Sequence, residues 1–307
     1  PPHPHTLFES SAASDVYKRQ AQEIPVNDSI PKILAAFEAF DGTYKRDEVD
    51  AALALQQEIT PHLIAILEKV LSDPIRYVQE PNHFGHIYAV ELLGHFREPR
   101  AHDVIIDLFS LPPELPHDLF GDMVTEDLPA LLFVTCDGSI ERIKELLLNR
   151  AADDYCRSAA AGALVYAAVE GTTPRAEVVA LFGGLFTGNE ATPDSAFWDL
   201  LTNDICDLYP EELMNVVKEA FDAKLISGEF ANYSFFERTL HRGKAQVFQE
   251  VRDNLRRYAP ADVHARMSWW ACFRQKPTAP PKRVARQKKV KRQKPRTRPP
   301  RKKKRKR

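Results

Sequence analysis

Residues 153–171 read DDYCRSAAAGALVYAAVEG. The stretch begins with two acids, carries Arg157 one turn later, and continues with small residues that let neighbouring backbones pack closely. Acidic side chains are favourable at a helix N terminus, and apolar residues at spacings of three and four are typical of an α-helix. The apolar run from Ala159 to Val169 is well short of the roughly 18 residues that span a membrane. The stretch therefore predicts a helix packed closely against other helices.

The same apolar register recurs along the chain. A large residue opens each segment, apolar residues follow at offsets +3, +4 and +8, and an acid stands at +7. The matching sets are Phe84, Ile87, Tyr88, Glu91 and Leu92; Phe120, Met123, Val124, Asp127 and Leu128; and Phe197, Leu200, Leu201, Asp204 and Ile205. Tyr155, Ala159 and Ala163 follow the register with smaller residues.

The four segments start 36, 35 and 42 residues apart, and a second apolar helix pattern follows each of them. A helix pair repeated at such distances is typical of an α-solenoid, in which each pair buries its apolar face against its neighbours. We therefore predict an all-α fold, an α-α superhelix of about four helix pairs with flanking helices.

Two resemblances support this interpretation. The stretch at 153–171 resembles the first helix of a HEAT-type repeat. From about Ile30 to Phe273 the chain resembles the bacterial family named domain of unknown function 1186, through segments such as FDGTYKRDEVDAAL, GHIYAVELLGHFREPRAHDVIIDLFSLP and MSWWACF. That family has no assigned reaction, so the resemblance implies a fold and no activity. Its members often end in a zinc-binding SEC-C module, but here a basic tail stands in that place.

The near-neutral formal charge of −1 hides two unlike parts. Residues 275–307 hold 18 Lys/Arg and no Asp/Glu, whereas residues 1–274 hold 24 Lys/Arg against 43 Asp/Glu, a formal charge of −19. A like-charged, Pro-interrupted segment cannot bury enough apolar surface to fold, so we expect 275–307 to be a disordered tail. Residues 21–274 form the predicted helical-repeat domain.

Residues 1–20 are expected to lie outside the fold. SSAASDVYKRQ, residues 10–20, resembles the translation of a transposon-end adaptor used to prepare sequencing libraries. The alternative is a disordered natural leader. An apolar core typical of a secretory signal is missing from this stretch, and we expect a cytoplasmic protein.

The repeated acids are the first candidate functional residues. At about 100° per residue, offset +7 falls on the apolar stripe, so Glu91, Asp127 and Asp204 should point inward. Buried carboxylates need hydrogen bonds or paired cations, and Arg97 or Arg157 could supply the cation. A structural role is the first interpretation, and a metal-dependent or hydrolytic enzyme built on these acids is the alternative.

Histidines and cysteines do not complete a catalytic or metal-binding pattern. His86 and His95 lie about 180° apart around a helix, and neither stands in an HExxH motif. His86 is retained as a binding candidate. The four cysteines are scattered singly, so we expect buried thiols and no nucleophile at Cys136. The sequence thus predicts no catalytic residues, no cofactor and no metal ligands.

Trp269 and Trp270 are the remaining binding candidates. With Phe273 they are expected to close the last repeat as a hydrophobic cap, and an exposed partner anchor is the alternative. The leading functional hypothesis is a non-enzymatic scaffold that binds another protein, since solenoids present extended surfaces. A third hypothesis is sequence-independent nucleic-acid association through the tail, which has many cations and no aromatic residue.

Overall fold

A computed structural model of the chain describes residues 29–273 apart from Pro81, residues 193–194, residues 229–231 and Pro260. The predicted leader (1–20) and tail (275–307) lie outside the described residues. Within the described part the regular secondary structure is helical, and its β-type pairing is the isolated antiparallel bridge between Ala39 and His83. The prediction of an all-α fold is confirmed.

The described helices are numbered in chain order. They are α1 (Ser29–Glu38), α2 (Arg46–Ala54), α3 (Gln56–Ser72), α4 (Pro74–Gln79), α5 (Gly85–Phe96), α6 (His102–Phe109), α7 (Glu114–Phe120), α8 (Met123–Glu126), α9 (Leu128–Thr135), α10 (Glu141–Leu148), α11 (Asp154–Glu170), α12 (Arg175–Gly183), α13 (Phe197–Asp207), α14 (Met214–Asp222), α15 (Tyr233–Arg242), α16 (Lys244–Tyr258) and α17 (Val263–Met267). Short 3-10 helices cover Pro99–Ala101, Glu211–Leu213 and Ala271–Phe273.

Helices α5, α9, α11 and α13 pack against one another in chain order, and we call them the inner row. Helix α6 packs against α3, α9 and α10, while α10 and α12 pack against α11. The predicted first and second helices of each pair are therefore present where the register places them, except in the second pair. The superhelical arrangement and its HEAT-like character stay predictions.

The second pair departs from the predicted register. Instead of one helix from Phe120 to Leu128, the chain forms α7, α8 and α9 in succession. Gly121 separates α7 from α8 with φ 56° and ψ −135°, a conformation that favours glycine. Pro129 stands in the first turn of α9, where its missing N–H and its ring prevent α8 from continuing. Asp127 consequently lies in the break between two helices.

Helix α11 is the centre of the core. The Asp153 side chain caps it by accepting from the backbone N–H groups of Tyr155 and Cys156, and Gly171 ends it with φ 77°. Gly162 allows close packing, because a Cβ there would lie 3.1 Å from Pro129 Cβ and 3.3 Å from Asp204 Oδ1. The small residues of 153–171 thus let the inner row approach on both sides.

Arg157 joins α11 to its neighbours from a position that is 1% exposed. Its Nε donates to the Leu147 carbonyl at 3.0 Å, and its Nη2 donates to the Glu190 carbonyl at 2.9 Å. Nη1 pairs with Asp154 at 3.3 Å, and the guanidinium lies 3.7 Å from the centre of the Phe197 ring. This side chain satisfies two backbone carbonyls, one at the end of α10 and one in a loop, and a carboxylate.

The carboxyl-terminal helices return across the inner row. Helix α16 packs on α11 and α13, where Arg252 donates to the Val169 carbonyl at 2.7 Å. Helix α17 then packs on α5, and His264 contacts Tyr44 across 220 positions of sequence, with Nδ1 2.7 Å from the phenol oxygen. The chain thereby covers part of its own inner row with residues 244–273.

Candidate functional site

Two of the three repeated acids meet at one arginine. Arg266 Nε donates to Glu91 Oε2 at 2.6 Å, and its Nη2 lies 3.4 Å from Glu91 Oε1 and also pairs with Asp127 Oδ1. Both acids are buried, and the Arg266 side chain is 12% exposed. The prediction that Arg97 or Arg157 pairs with these acids is wrong for Glu91 and Asp127. Helix α17 brings Arg266 to them from a distant part of the chain.

This carboxylate–arginine cluster (Glu91, Asp127 and Arg266) holds two acids against one guanidinium. Burial raises the pKa of Glu91 to about 7, while the Coulombic attraction of Arg266 opposes that rise and the Asp127 charge adds to it. Burial raises the pKa of Asp127 as well. One of the two acids therefore takes up a proton near neutral pH, where an exposed glutamate would be ionised.

A cavity of about 340 Å³ adjoins the cluster. Its lining combines the three cluster residues with residues of α5, α9 and the 258–263 segment, among them His95, Arg97, Leu131, Tyr258 and Val263. Arg97 is exposed and adopts φ 53° where α5 ends. The cavity lining thus combines the buried carboxylate–arginine cluster with the exposed cation of Arg97.

Replacing Glu91 with glutamine should flatten the dependence of stability on pH. Between the unfolded glutamate pKa of about 4.3 and the folded value of about 7, the folded protein holds a proton that the unfolded chain has released. This contribution is complete below the unfolded pKa and is lost as the pH rises through the folded pKa. We expect the wild-type free energy of unfolding to fall by on the order of 3 kcal/mol across this interval, and Glu91→Gln to lack that fall.

The measurement is denaturant unfolding at a series of pH values. Glu219→Gln, on the exposed face of α14, is the matched control and should keep the wild-type slope. Equal slopes for Glu91→Gln and the control would contradict the assignment of a raised pKa to Glu91.

Asp204 does not join the cluster. Its Oδ2 accepts from Ser158 Oγ at 3.3 Å, and burial raises its pKa well above the ordinary value. Gly162, the +7 residue of the third segment, lies between Asp127 and Asp204 in the register and carries no side chain. The repeated acids therefore form one pair and one separate carboxyl.

Two histidines, His86 and His83, make different contacts. His86 is buried, and its Nε2 donates to the Leu119 carbonyl at 2.8 Å. His83 bridges Glu38 and Glu80, and its pKa is raised by hydrogen bonds to Glu80 and then Glu38. Across the described residues, no three His, Cys, Asp or Glu side chains come together as a group that could hold a metal ion.

The buried cysteines are protonated thiols at neutral pH. Burial raises the pKa of Cys136, and its Sγ donates to the Phe133 carbonyl at 3.2 Å. Burial also raises the pKa of Cys206 to about 12. Thiolates are the nucleophilic form, so neither environment activates a cysteine.

Trp269 and Trp270 lie at the start of the inner row, and the prediction that they close the last repeat is wrong. Phe273 stacks with Trp270 at a centroid distance of 6.0 Å and lies 5.7 Å from Phe84 and 5.4 Å from Tyr44. The reason is the return of α16 and α17, which carries these aromatics to α5. Trp269 remains 54% exposed, so it does not act as a cap.

Beside Trp269 lies a cavity of about 480 Å³, which we call the Trp269 groove. Its lining is mainly apolar and includes Tyr77, Phe84, Ile87, Phe120, Met123, Trp269 and Trp270. His86 also lines the groove, and Asp127 lines both this groove and the cavity of the carboxylate–arginine cluster. Three exposed carboxylates of the lining, Asp118, Asp122 and Glu126, form what we call the carboxylate rim.

A comparison with known protein families assigns the chain to one of them. Residues 29–274 match the family described as "Protein of unknown function (DUF1186)". The chain belongs to this family. Two similar proteins, each named "Uncharacterized protein", come from Chlamydia muridarum (strain MoPn / Nigg) and Chlamydia trachomatis serovar D (strain ATCC VR-885 / DSM 19411 / UW-3/Cx). Each is 34% identical over 201 residues, which cover 66% of this chain and 80% of the relative.

No solved structure matches this DUF1186 chain. None of the helices in the described residues is long and apolar enough to traverse a membrane. The family match covers the described helices and leaves the activity to be argued from the site.

The sequence alone does not indicate Arg266 as a site residue, although it indicates both of its acidic partners, Glu91 and Asp127. Arg266 lies in HARMSWW, three residues before Trp269. Its neighbours Val263 and Met267 are buried one turn apart, so Arg266 borders an apolar face. That spacing is a usable local signal for a partly buried arginine, but it does not indicate which acids it meets.

Proposed function

We propose that this DUF1186 protein is a non-enzymatic, cytoplasmic binding protein that docks a segment of a partner protein in the Trp269 groove. The observation that carries this proposal is a tryptophan that is 54% exposed beside an apolar cavity of about 480 Å³. Tryptophan is among the residues that contribute most to protein interfaces, and exposed apolar surface with a polar rim is typical of interaction sites. The groove is of a size that suits a short segment with one or two anchoring side chains.

The covering of the inner row favours this groove over the concave face expected of a solenoid. Residues 244–273 pack on α11, α13 and α5, so a partner would have to displace them to reach those helices. The groove needs no such displacement, because Trp269 is already solvent-exposed. A preformed site loses less conformational entropy on binding.

Photochemical cross-linking tests the proposal in cells. With p-benzoylphenylalanine in place of Trp269, we expect a cross-link to a defined protein on irradiation in bacteria that express the chain. The matched control carries the same group in place of Leu148, which is 49% exposed and does not line the groove. Equal cross-linking from both positions, or none from position 269, would contradict the proposal.

Two other hypotheses stay predictions. Nucleic-acid association through residues 275–307 concerns a segment outside the described residues. Hydrolytic chemistry at Glu91 and Asp127 would need a free carboxylate, whereas Arg266 engages both. The ion pair therefore supports a structural use of these acids.

A further inference from the structure

We infer that the segment bound in the Trp269 groove presents a lysine or arginine next to an apolar anchor, and that His86 and the carboxylate rim receive the cationic group. This inference rests on the proposed function and adds the chemistry of the partner. It follows from one unpartnered buried atom and from the charge around the groove.

His86 carries a hydrogen-bond acceptor, Nδ1, that has no donor among the described residues. Its Nε2–H is used on the Leu119 carbonyl, which fixes the tautomer and leaves a lone pair on Nδ1. Among the described residues, Nδ1 has no hydrogen-bond partner although it is buried. Burial lowers the pKa of His86, so the neutral form that carries this lone pair is favoured at neutral pH. A buried acceptor without a donor is uncommon in native proteins. We infer that side chains around His86 shift when the groove is filled, so that the donor of the occupant reaches Nδ1.

The carboxylate rim determines which sign of charge the groove attracts. Asp118, Asp122 and Glu126 are exposed carboxylates of the groove lining. Buried Asp127 also lines the groove, where Arg266 engages it, and His83 and His86 are the histidines of the lining. A cationic group is therefore attracted to the groove, and an acidic segment is repelled from it.

The apolar part of the groove requires more than a cation. Phe120, Met123 and the ring of Trp269 provide surface on which an aliphatic or aromatic anchor can be buried. Lysine and arginine combine an apolar stem with a cationic head, so they can follow the apolar lining while their nitrogens reach acceptors. An apolar residue with an adjacent Lys or Arg thus matches both parts of the groove.

Binding of three short acetylated peptides to the full chain tests the inference. The peptides alternate Leu with Lys, Leu with Gln or Leu with Glu, and are followed by fluorescence anisotropy at near-physiological ionic strength. We expect the Leu–Lys peptide to bind about tenfold more tightly than the Leu–Gln peptide, the effect of a charge-assisted hydrogen bond, and the Leu–Glu peptide to bind least. Equal affinity of the Lys and Gln peptides overturns the inference and leaves the proposed function standing. Absence of binding by all three contradicts both.

Variants locate the effect on the protein. The triple variant D118N/D122N/E126Q should remove most of the preference for Lys over Gln, and His86→Phe should reduce it further. The control triple E211Q/E219Q/D222N, on exposed positions at and before α14, should leave the preference unchanged. Because His86→Phe also unpairs the Leu119 carbonyl, it is interpreted only if it melts as the wild type does. The triple variant of the carboxylate rim is interpreted independently of His86→Phe. An unchanged preference for Lys over Gln in that triple variant overturns the inference.

The chain's own tail is the competing occupant. A synthetic peptide of residues 275–307 is added to the complex with the Leu–Lys peptide. If it displaces that peptide more strongly than polylysine of equal charge does, the groove belongs to the tail and the assignment to a partner protein is overturned. Displacement no stronger than that by polylysine supports the assignment to a partner.

Discussion

Replacing Arg266 with alanine is expected to lower the free energy of unfolding by about 3 kcal/mol at pH 8. The substitution leaves Glu91 and Asp127 buried without their cation, and removing one partner from a buried ion pair costs far more than the intact pair contributes. The carboxyl pKa values then rise further, because the guanidinium that lowers them is gone. The loss should shrink as the pH falls towards the unfolded carboxyl pKa, where both states are protonated.

Urea unfolding at pH 8 and near pH 5 measures this effect. Arg256→Ala is the matched control, since Arg256 is exposed and, among the described residues, pairs with Asp253 at 2.8 Å. An exposed pair of this kind contributes little to stability. If Arg266→Ala and Arg256→Ala were equally stable at pH 8, the cluster would not hold α17 on the inner row.

Arg157→Ala is expected to lower the free energy of unfolding by about 4 kcal/mol, at least as much as Arg266→Ala does. The substitution unpairs the Leu147 and Glu190 carbonyls, leaves Asp154 without its arginine, and opens a cavity beside Phe197. Lysine should not restore the stability, because its single ammonium cannot reproduce the planar set of donors.

Thermal and urea unfolding of Arg157→Ala and Arg157→Lys measure the effect. Arg150→Ala is the control, because Arg150 is exposed at the turn that precedes α11. A stability of Arg157→Lys close to that of the wild type would show that charge alone, and not the fork of donors, is what this position requires.

Much of the fold could be predicted from periodicity. The register of Ile87, Tyr88 and Leu92 places these residues on a buried part of α5, and the small residues of 153–171 form the densely packed α11. Local spacing determines which face of a helix is apolar, so such predictions succeed wherever the helix is continuous. They failed at Phe120–Leu128, where Gly121 and Pro129 break the helix although the apolar spacing is kept.

The candidate sites were less predictable, because they depend on contacts between distant residues. The Arg266–Glu91 contact spans 175 positions, and no local pattern indicates that α17 returns to α5. The same return places Trp269 beside Phe120 in the groove and not at the end of the last repeat. His86 could be selected from the sequence as a polar residue on an apolar face, but its unpartnered Nδ1 emerges only when Leu119 is in place.

The most direct test of the account is a binding titration with the purified partner that cross-links at position 269. It compares wild-type protein with Trp269→Ala and with Leu148→Ala, two truncations of exposed apolar side chains. The account predicts at least a tenfold weaker affinity for Trp269→Ala, since truncating an interface tryptophan commonly costs about 2 kcal/mol or more, and an unchanged affinity for Leu148→Ala. Equal affinities for all three proteins would contradict it.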